Sequence, residues 1–220
     1  MSLVGGPIPP KPNLFRPHLS PPGVETDLNA YKTTSGDPWW TSRPLITPRL
    51  IVIHTNAASR EGSLQSAINW GNAARNNTKP HYNINEPAPT KHNPTDRRAI
   101  ANSTGSTLED LYSERDVSYW SIAIETADMG SVAARAQGVN WPTDCGPFLY
   151  DHAEKIARII AYECIVWSIP IMVPTEWNGT GIVTHTEPFA YPHYTTVPGK
   201  TCPGETKKQR VLRGDILPRA

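Results

Sequence analysis

Three short, apolar, largely β-branched runs each end in a residue able to do chemistry, and together they fix the class of fold. Residues 49–54 pass through Leu50, Ile51, Val52 and Ile53 to His54. Residues 120–126 pass through Ile122, Ala123 and Ile124 to Glu125, and residues 181–185 through Ile182 and Val183 to His185. A continuous apolar run bounded by polar residues reads as a buried strand. Between the second and third runs lies a helical pattern over residues 148–167. There Leu149, Ala153, Ile156, Ile160, Cys164 and Trp167 recur at i+3 and i+4 steps until Ile169-Pro170 stops them. A shorter helix is expected after the polar residues 59–63, on Leu64, Ala67, Ile68, Ala73 and Ala74. Residues 79–85, where Tyr82 and Ile84 alternate with polar neighbours, predict another strand, and residues 98–101 a short one. Strands alternate with helices, so the class is α/β.

At 220 residues the chain is long enough for one domain with a full core. The 23 prolines argue for long irregular connections. Pro7, Pro9, Pro10, Pro12, Pro17, Pro21 and Pro22 crowd the start, where fixed φ angles and missing amide donors disfavour helix and central strand. Residues 1–45 therefore read as a proline-rich arm or linker, and residues 46–220 as the folded domain. Trp39 and Trp40 are costly to leave wet, so the arm is expected to lie along the domain and anchor through them. Residues 86–120, polar and rich in turn formers, are the expected place for substrate-facing loops.

A net charge of +1 argues against the broad basic surface of a nucleic-acid binder. No apolar stretch is long enough to span a bilayer, and the first residues lack the basic and apolar regions of a signal peptide. Three cysteines are too few and too odd in number for a disulfide framework, so Cys145 and Cys164 are read as unpaired thiols, with their pairing in an oxidising medium as the alternative.

The third cysteine, Cys202, belongs to the chemistry. A catalytic zinc takes three protein ligands of nitrogen, sulfur or oxygen type and keeps one position open for water. His54, His185 and Cys202 meet that count, and Pro188, Pro192, Pro198 and Gly199 can turn the intervening loop back toward the two histidines. Taken singly, a strand-end histidine is usually a hydrogen-bonding residue and a buried cysteine a small hydrophobe.

Five pieces stand in a specific order: Ile51-Val52-Ile53-His54-Thr55, Pro80-His81-Tyr82-Asn83-Ile84, Ser121-Ile122-Ala123-Ile124-Glu125, Val183-Thr184-His185-Thr186-Glu187 and Gly199-Lys200-Thr201-Cys202-Pro203-Gly204. In these, over about residues 47–212, the chain resembles the zinc-dependent N-acetylmuramoyl-L-alanine amidases of the amidase-2 or peptidoglycan-recognition-protein superfamily, phage endolysins included. The resemblance implies a central mixed β-sheet flanked by helices and a Zn2+ cofactor held by His54, His185 and Cys202. It implies Glu125 as general base and Lys200 as partner of the oxyanion. Some phage members place a tyrosine before the His81 equivalent; Pro80 stands there in this chain, which favours Glu125 as the base. Two departures mark the match. The loop from His185 to Cys202 is long, bringing His193 and Tyr194 within reach of the cleft, and no alanine-tryptophan-histidine motif is recognisable in residues 98–120. The implied activity is hydrolysis of the bond between N-acetylmuramic acid and L-alanine in peptidoglycan. The expected setting is a monomeric phage endolysin, made in the host cytoplasm and acting on the cell wall without inserting in a membrane. An intracellular amidase recycling anhydro-muropeptides and a non-catalytic peptidoglycan-recognition module are the alternatives.

Overall fold

A computed structural model describes residues 19–55, 64–73, 79–84, 88–101, 117–126, 148–175, 179–185 and 217–220. In chain order its elements are β1 (Glu25–Thr26), a 3-10 turn (Trp39–Ser42), β2 (Leu50–Thr55) and α1 (Leu64–Asn72). There follow β3 (Tyr82–Ile84), β4 (Thr90–Lys91), a second 3-10 turn (Val117–Tyr119), β5 (Ser121–Thr126), α2 (Phe148–Trp167) and β6 (Gly181–Thr184). The strands form one mixed sheet in the order β1-β4-β3-β5-β2-β6. β3, β5, β2 and β6 run parallel to one another, and the β3–β4 pair is antiparallel. The expected α/β class with a mixed sheet is therefore observed.

β2 and β5 are the spine of the sheet, paired residue for residue from Leu50 opposite Ser121 to Thr55 opposite Thr126. Because side chains alternate along a strand, each strand offers one set of residues to each face. Ile51 and Ile53, Ile122 and Ile124, Tyr82 and Ile84, and Ile182 pack in one cluster with Ala153, Ile156, Ile159 and Ile160 of α2. Each isoleucine fully buried there contributes about 2 kcal/mol of apolar transfer. The intervening residues Leu50, Val52 and Val183 form a second cluster with Val117 and Trp120 on the other face.

α2 spans the expected residues, and its end has a physical cause. Ser168 adopts φ 57°, and the Ile169 amide donates to the Cys164 carbonyl at 3.1 Å, the six-to-one bond that closes a helix before Pro170. Among the described cysteines, Cys164 is a free thiol, buried, and burial pushes it up to about 12. Cys145 lies outside the described residues. No helix among the described residues is long and apolar enough to cross a membrane.

Two expectations are corrected, and the reading of the first 45 residues gains detail. Within that segment β1 adds an edge strand beside β4, with Glu25 opposite Thr90 and Thr26 opposite Lys91. Trp39 is buried against Tyr31 and Ile68, and the Trp40 indole donates to the Leu28 carbonyl at 3.0 Å. Residues 98–101 make only an isolated bridge, Ile100 opposite Lys79. Nor are residues 90–95 a substrate-facing loop, since Thr90, Lys91, His92, Asn93 and Thr95 are all buried. Lys91 and Thr95 turn their polar groups inward to α2. Glu163 of α2 accepts from the Lys91 ammonium at 3.3 Å, the Thr95 hydroxyl at 3.2 Å, the Trp167 indole at 2.9 Å and the Tyr82 hydroxyl. That network ties the helix to the sheet.

Candidate active site

The strand pairing assembles the site. Asn83 stands opposite Glu125, and Glu125 opposite His54, so three adjacent parallel strands bring one polar residue each to a common row. These residues share parity with Leu50, Val52 and Ala123, which places the row on the face away from α2. His185 follows the last residue of β6 and continues its ladder, the His185 amide donating to the Ile53 carbonyl at 3.1 Å. The two imidazoles meet with ring centroids 4.2 Å apart and planes inclined at 53°. Glu125 Oε1 lies 3.8 Å from His54 Nδ1, an electrostatic contact longer than a hydrogen bond. His54, His185 and Glu125 are 1%, 4% and 5% exposed, so all three are drawn into the protein at the rim of an apolar cluster.

A strand end of this kind explains why the residues are so placed. Val52 and Val183 anchor the strands by burial, and the next residue of the same parity is the first to clear the core. The Thr126 hydroxyl donates to the His54 carbonyl at 2.7 Å, tying the ends of β5 and β2 together just where the side chains diverge.

His81 is close in sequence to this row but serves another purpose. The Ala123 amide donates to its Nδ1 at 3.0 Å, which puts the proton on Nε2, and Nε2 donates to the Arg97 carbonyl at 2.8 Å. Burial pushes its pKa down to about 3. It is a neutral cross-link between β3, β5 and the 97–98 backbone.

Of the residues expected from sequence, the structure thus brings together His54, His185 and Glu125. Cys202 and Lys200 lie outside the described residues, as do His193 and Tyr194. Two neighbours went unread. Asn83 is the polar residue of the Tyr82/Ile84 alternation, an ordinary solvent-facing position by pattern; in the fold it is 1% exposed. Tyr31 sits in the proline-rich segment, where nothing in the sequence points at the site; its hydroxyl accepts the Asn83 side-chain amide at 2.9 Å.

Zinc is the ion that the family resemblance implies, and the residues can be tested for it. Two buried imidazoles with facing rings supply borderline-soft nitrogen donors, the kind that zinc takes. Among the described residues, no group of three histidine, cysteine or acidic side chains is gathered to hold a metal ion. A thiolate from Cys202 would supply the third donor, and the pair of histidines fits such a set.

The fold can be compared with known proteins. No family model and no curated protein matches the sequence. Among solved structures, the chain is similar to PlyL with a TM-score of 0.51 and 14% identity, over 88% of this chain and 99% of that one. The Staphylococcus aureus hydrolase AmiA in complex with its ligand gives a TM-score of 0.49 and 16% identity, over 83% of this chain and 74% of that one. A mutant endolysin from Bacillus subtilis gives 0.48 and 14%, over 82% and 90%. The likeness to PlyL shows that the α/β architecture, with its mixed sheet, is one adopted by a solved protein over nearly its whole length.

Proposed function

We propose that the chain is a zinc-dependent N-acetylmuramoyl-L-alanine amidase that hydrolyses peptidoglycan between the muramyl lactyl group and L-alanine. The observation that carries this reading is the His54–His185 pair with the Glu125 carboxylate 3.8 Å from His54, all on one face at the end of parallel strands. The order of sequence motifs supports it, and so does the match of architecture to PlyL.

His54, His185 and Cys202 would hold the ion. When bound, zinc supplies a water acidic enough to attack an amide near neutral pH, its pKa lowered to ~7. Glu125 would take the proton of the attacking water and return it to the departing L-alanine amine. Burial at 5% exposure keeps that carboxylate largely out of bulk water. Lys200 is assigned to the oxygen of the tetrahedral carbon, a contact of a type often worth ~3 kcal/mol in barrier height. Peptidoglycan is the proposed partner, and the bacterial cell wall the proposed place of action, as for a phage endolysin.

The test is digestion of purified peptidoglycan, with mass analysis of the products and counting of new L-alanine amino termini. Wild type should release them, chelator should stop the release, and Zn2+ should restore it. Cleavage only between sugars, or between stem-peptide residues, would refute the reading. So would full activity in His54→Ala.

A further inference from the structure

The row Asn83–Glu125–His54 has one more group at its end. Tyr31 is 2% exposed, and its hydroxyl accepts the Asn83 Nδ2 proton at 2.9 Å. A phenol has one proton to give, and the asparagine amide occupies its acceptor side. Its neighbour along the row, Glu125, is opposite Asn83 in the strand register, about 5 Å away at the backbone.

The arm fixes Tyr31 from several directions. The Trp39 amide donates to the Tyr31 carbonyl at 2.9 Å, and the Trp39 and Ile68 side chains pack with its ring. The His92 ring meets it edge-on at 5.2 Å, and His92 Nδ1 is paired with the Asp27 carbonyl at 3.2 Å. Asn72 of α1 clamps both flanks, giving a proton to the Ala30 carbonyl at 3.0 Å and accepting the Lys32 amide at 3.3 Å. Packing alone would be served as well by phenylalanine. Burial, and then the charge of Glu125, push the Tyr31 pKa up, so the hydroxyl keeps its proton and remains a donor.

We propose that Tyr31 is a positioning residue for Glu125: the Asn83 amide turns its hydroxyl dipole toward the carboxylate, and that dipole steadies the orientation facing His54. The segment around β1 is thereby part of the reaction centre, not an appendage to it. The role rests on the proposed function insofar as Glu125 is the base.

The experiment is a double-mutant cycle on the full chain, using Tyr31→Phe, Glu125→Gln and the pair. In hydrolysis of peptidoglycan, Tyr31→Phe should lower kcat roughly tenfold with KM unchanged, the order expected for a residue supporting a catalytic group. It should lower kcat no further in Glu125→Gln. Asn83→Ala should reproduce the loss. Independently of activity, the urea midpoint shifts of Tyr31→Phe and Glu125→Gln on zinc-free protein should fail to add, because the two groups interact. Additive midpoints, or a Tyr31→Phe variant of unchanged kcat, would overturn the proposal. A wild-type chain with no amidase activity would instead remove the proposed function, and the midpoint cycle would still decide whether Tyr31 and Glu125 are coupled.

Discussion

Breaking the buried pair Lys91–Glu163 should cost more than any other single exchange in the described sheet, and by an amount that depends on which partner is removed. Both side chains are fully buried. Burial pulls the Lys91 pKa down while Glu163 pushes it back up, so the lysine depends on its partner to stay charged. Glu163→Leu leaves the ammonium with the Leu19 carbonyl at 2.8 Å and takes the carboxylate from the Tyr82, Thr95 and Trp167 donors, of which the Trp167 indole keeps the Thr95 hydroxyl oxygen at 3.1 Å. Lys91→Met leaves a carboxylate that still receives those three donors. Removing one partner of a buried pair costs ~3–5 kcal/mol, and on this count Lys91→Met belongs at the lower end and Glu163→Leu at the upper. For a chain of this size ~5 kcal/mol lowers Tm by roughly 10–20 °C. The double variant removes both charges and leaves only the donors without their carboxylate, so it should be more stable than Glu163→Leu alone. Simple addition would instead predict a loss of ~8 kcal/mol. Urea unfolding followed by tryptophan fluorescence measures all four corners of the cycle, with the Trp167 indole bonded directly to Glu163 at 2.9 Å. Additive losses, or a Lys91→Met variant worse than Glu163→Leu, would refute the reasoning.

Other outcomes follow from the same geometry. Burial holds the imidazoles of His81 and His92 down to about 3 and about 4, below their ordinary 6.5. Both are depressed, so their contribution is fully present above pH 6.5 and is lost as pH falls toward those folded values. Each adds a slope of up to ~1.4 kcal/mol per pH unit. Urea midpoints should fall between about pH 6.5 and 5, and a flat profile there would contradict the assignment. Glu125→Gln should keep the fold by circular dichroism and lose ~100-fold or more in amide hydrolysis, as removal of a general base does. His185→Ala should lower bound zinc, measured by metal analysis after dialysis; unchanged stoichiometry would exclude it as a ligand. Gly181→Ala should destabilise by ~1–3 kcal/mol, because φ is 151° and a Cβ would lie 2.2 Å from the Met172 carbonyl oxygen. Since His185 directly follows β6, the variant's activity should fall further than its Tm alone accounts for.

The long elements were legible because their patterns are long. α2 repeats its apolar residues over 20 positions, and β2 and β5 each carry a run of buried aliphatic residues before a charged or ionisable end. β1 and β4 have two residues each, too few for any periodicity, and proline-rich flanks disguise the first. The same limit explains the polar interior. Lys91 and Glu163 are far apart in sequence and each reads as a solvated charge until the fold joins them. At the site, His54, His185 and Glu125 were visible because strand ends expose chemistry at a predictable place. Asn83 and Tyr31 were not, since one mimics a solvent-facing letter and the other comes from a segment whose contacts are all long-range.

Strand parity has a practical consequence for altering this protein. Ile51, Ile53, Ile122, Ile124 and Ile182 touch α2, whereas their immediate neighbours Val52, His54, Ala123, Glu125 and Val183 line the other face. Durability and reactivity are thus written on alternate letters of the same strands. A library confined to the first set can be selected for heat resistance without sampling the reaction. A library confined to the second explores substrate and rate while the helix-backed half holds the frame.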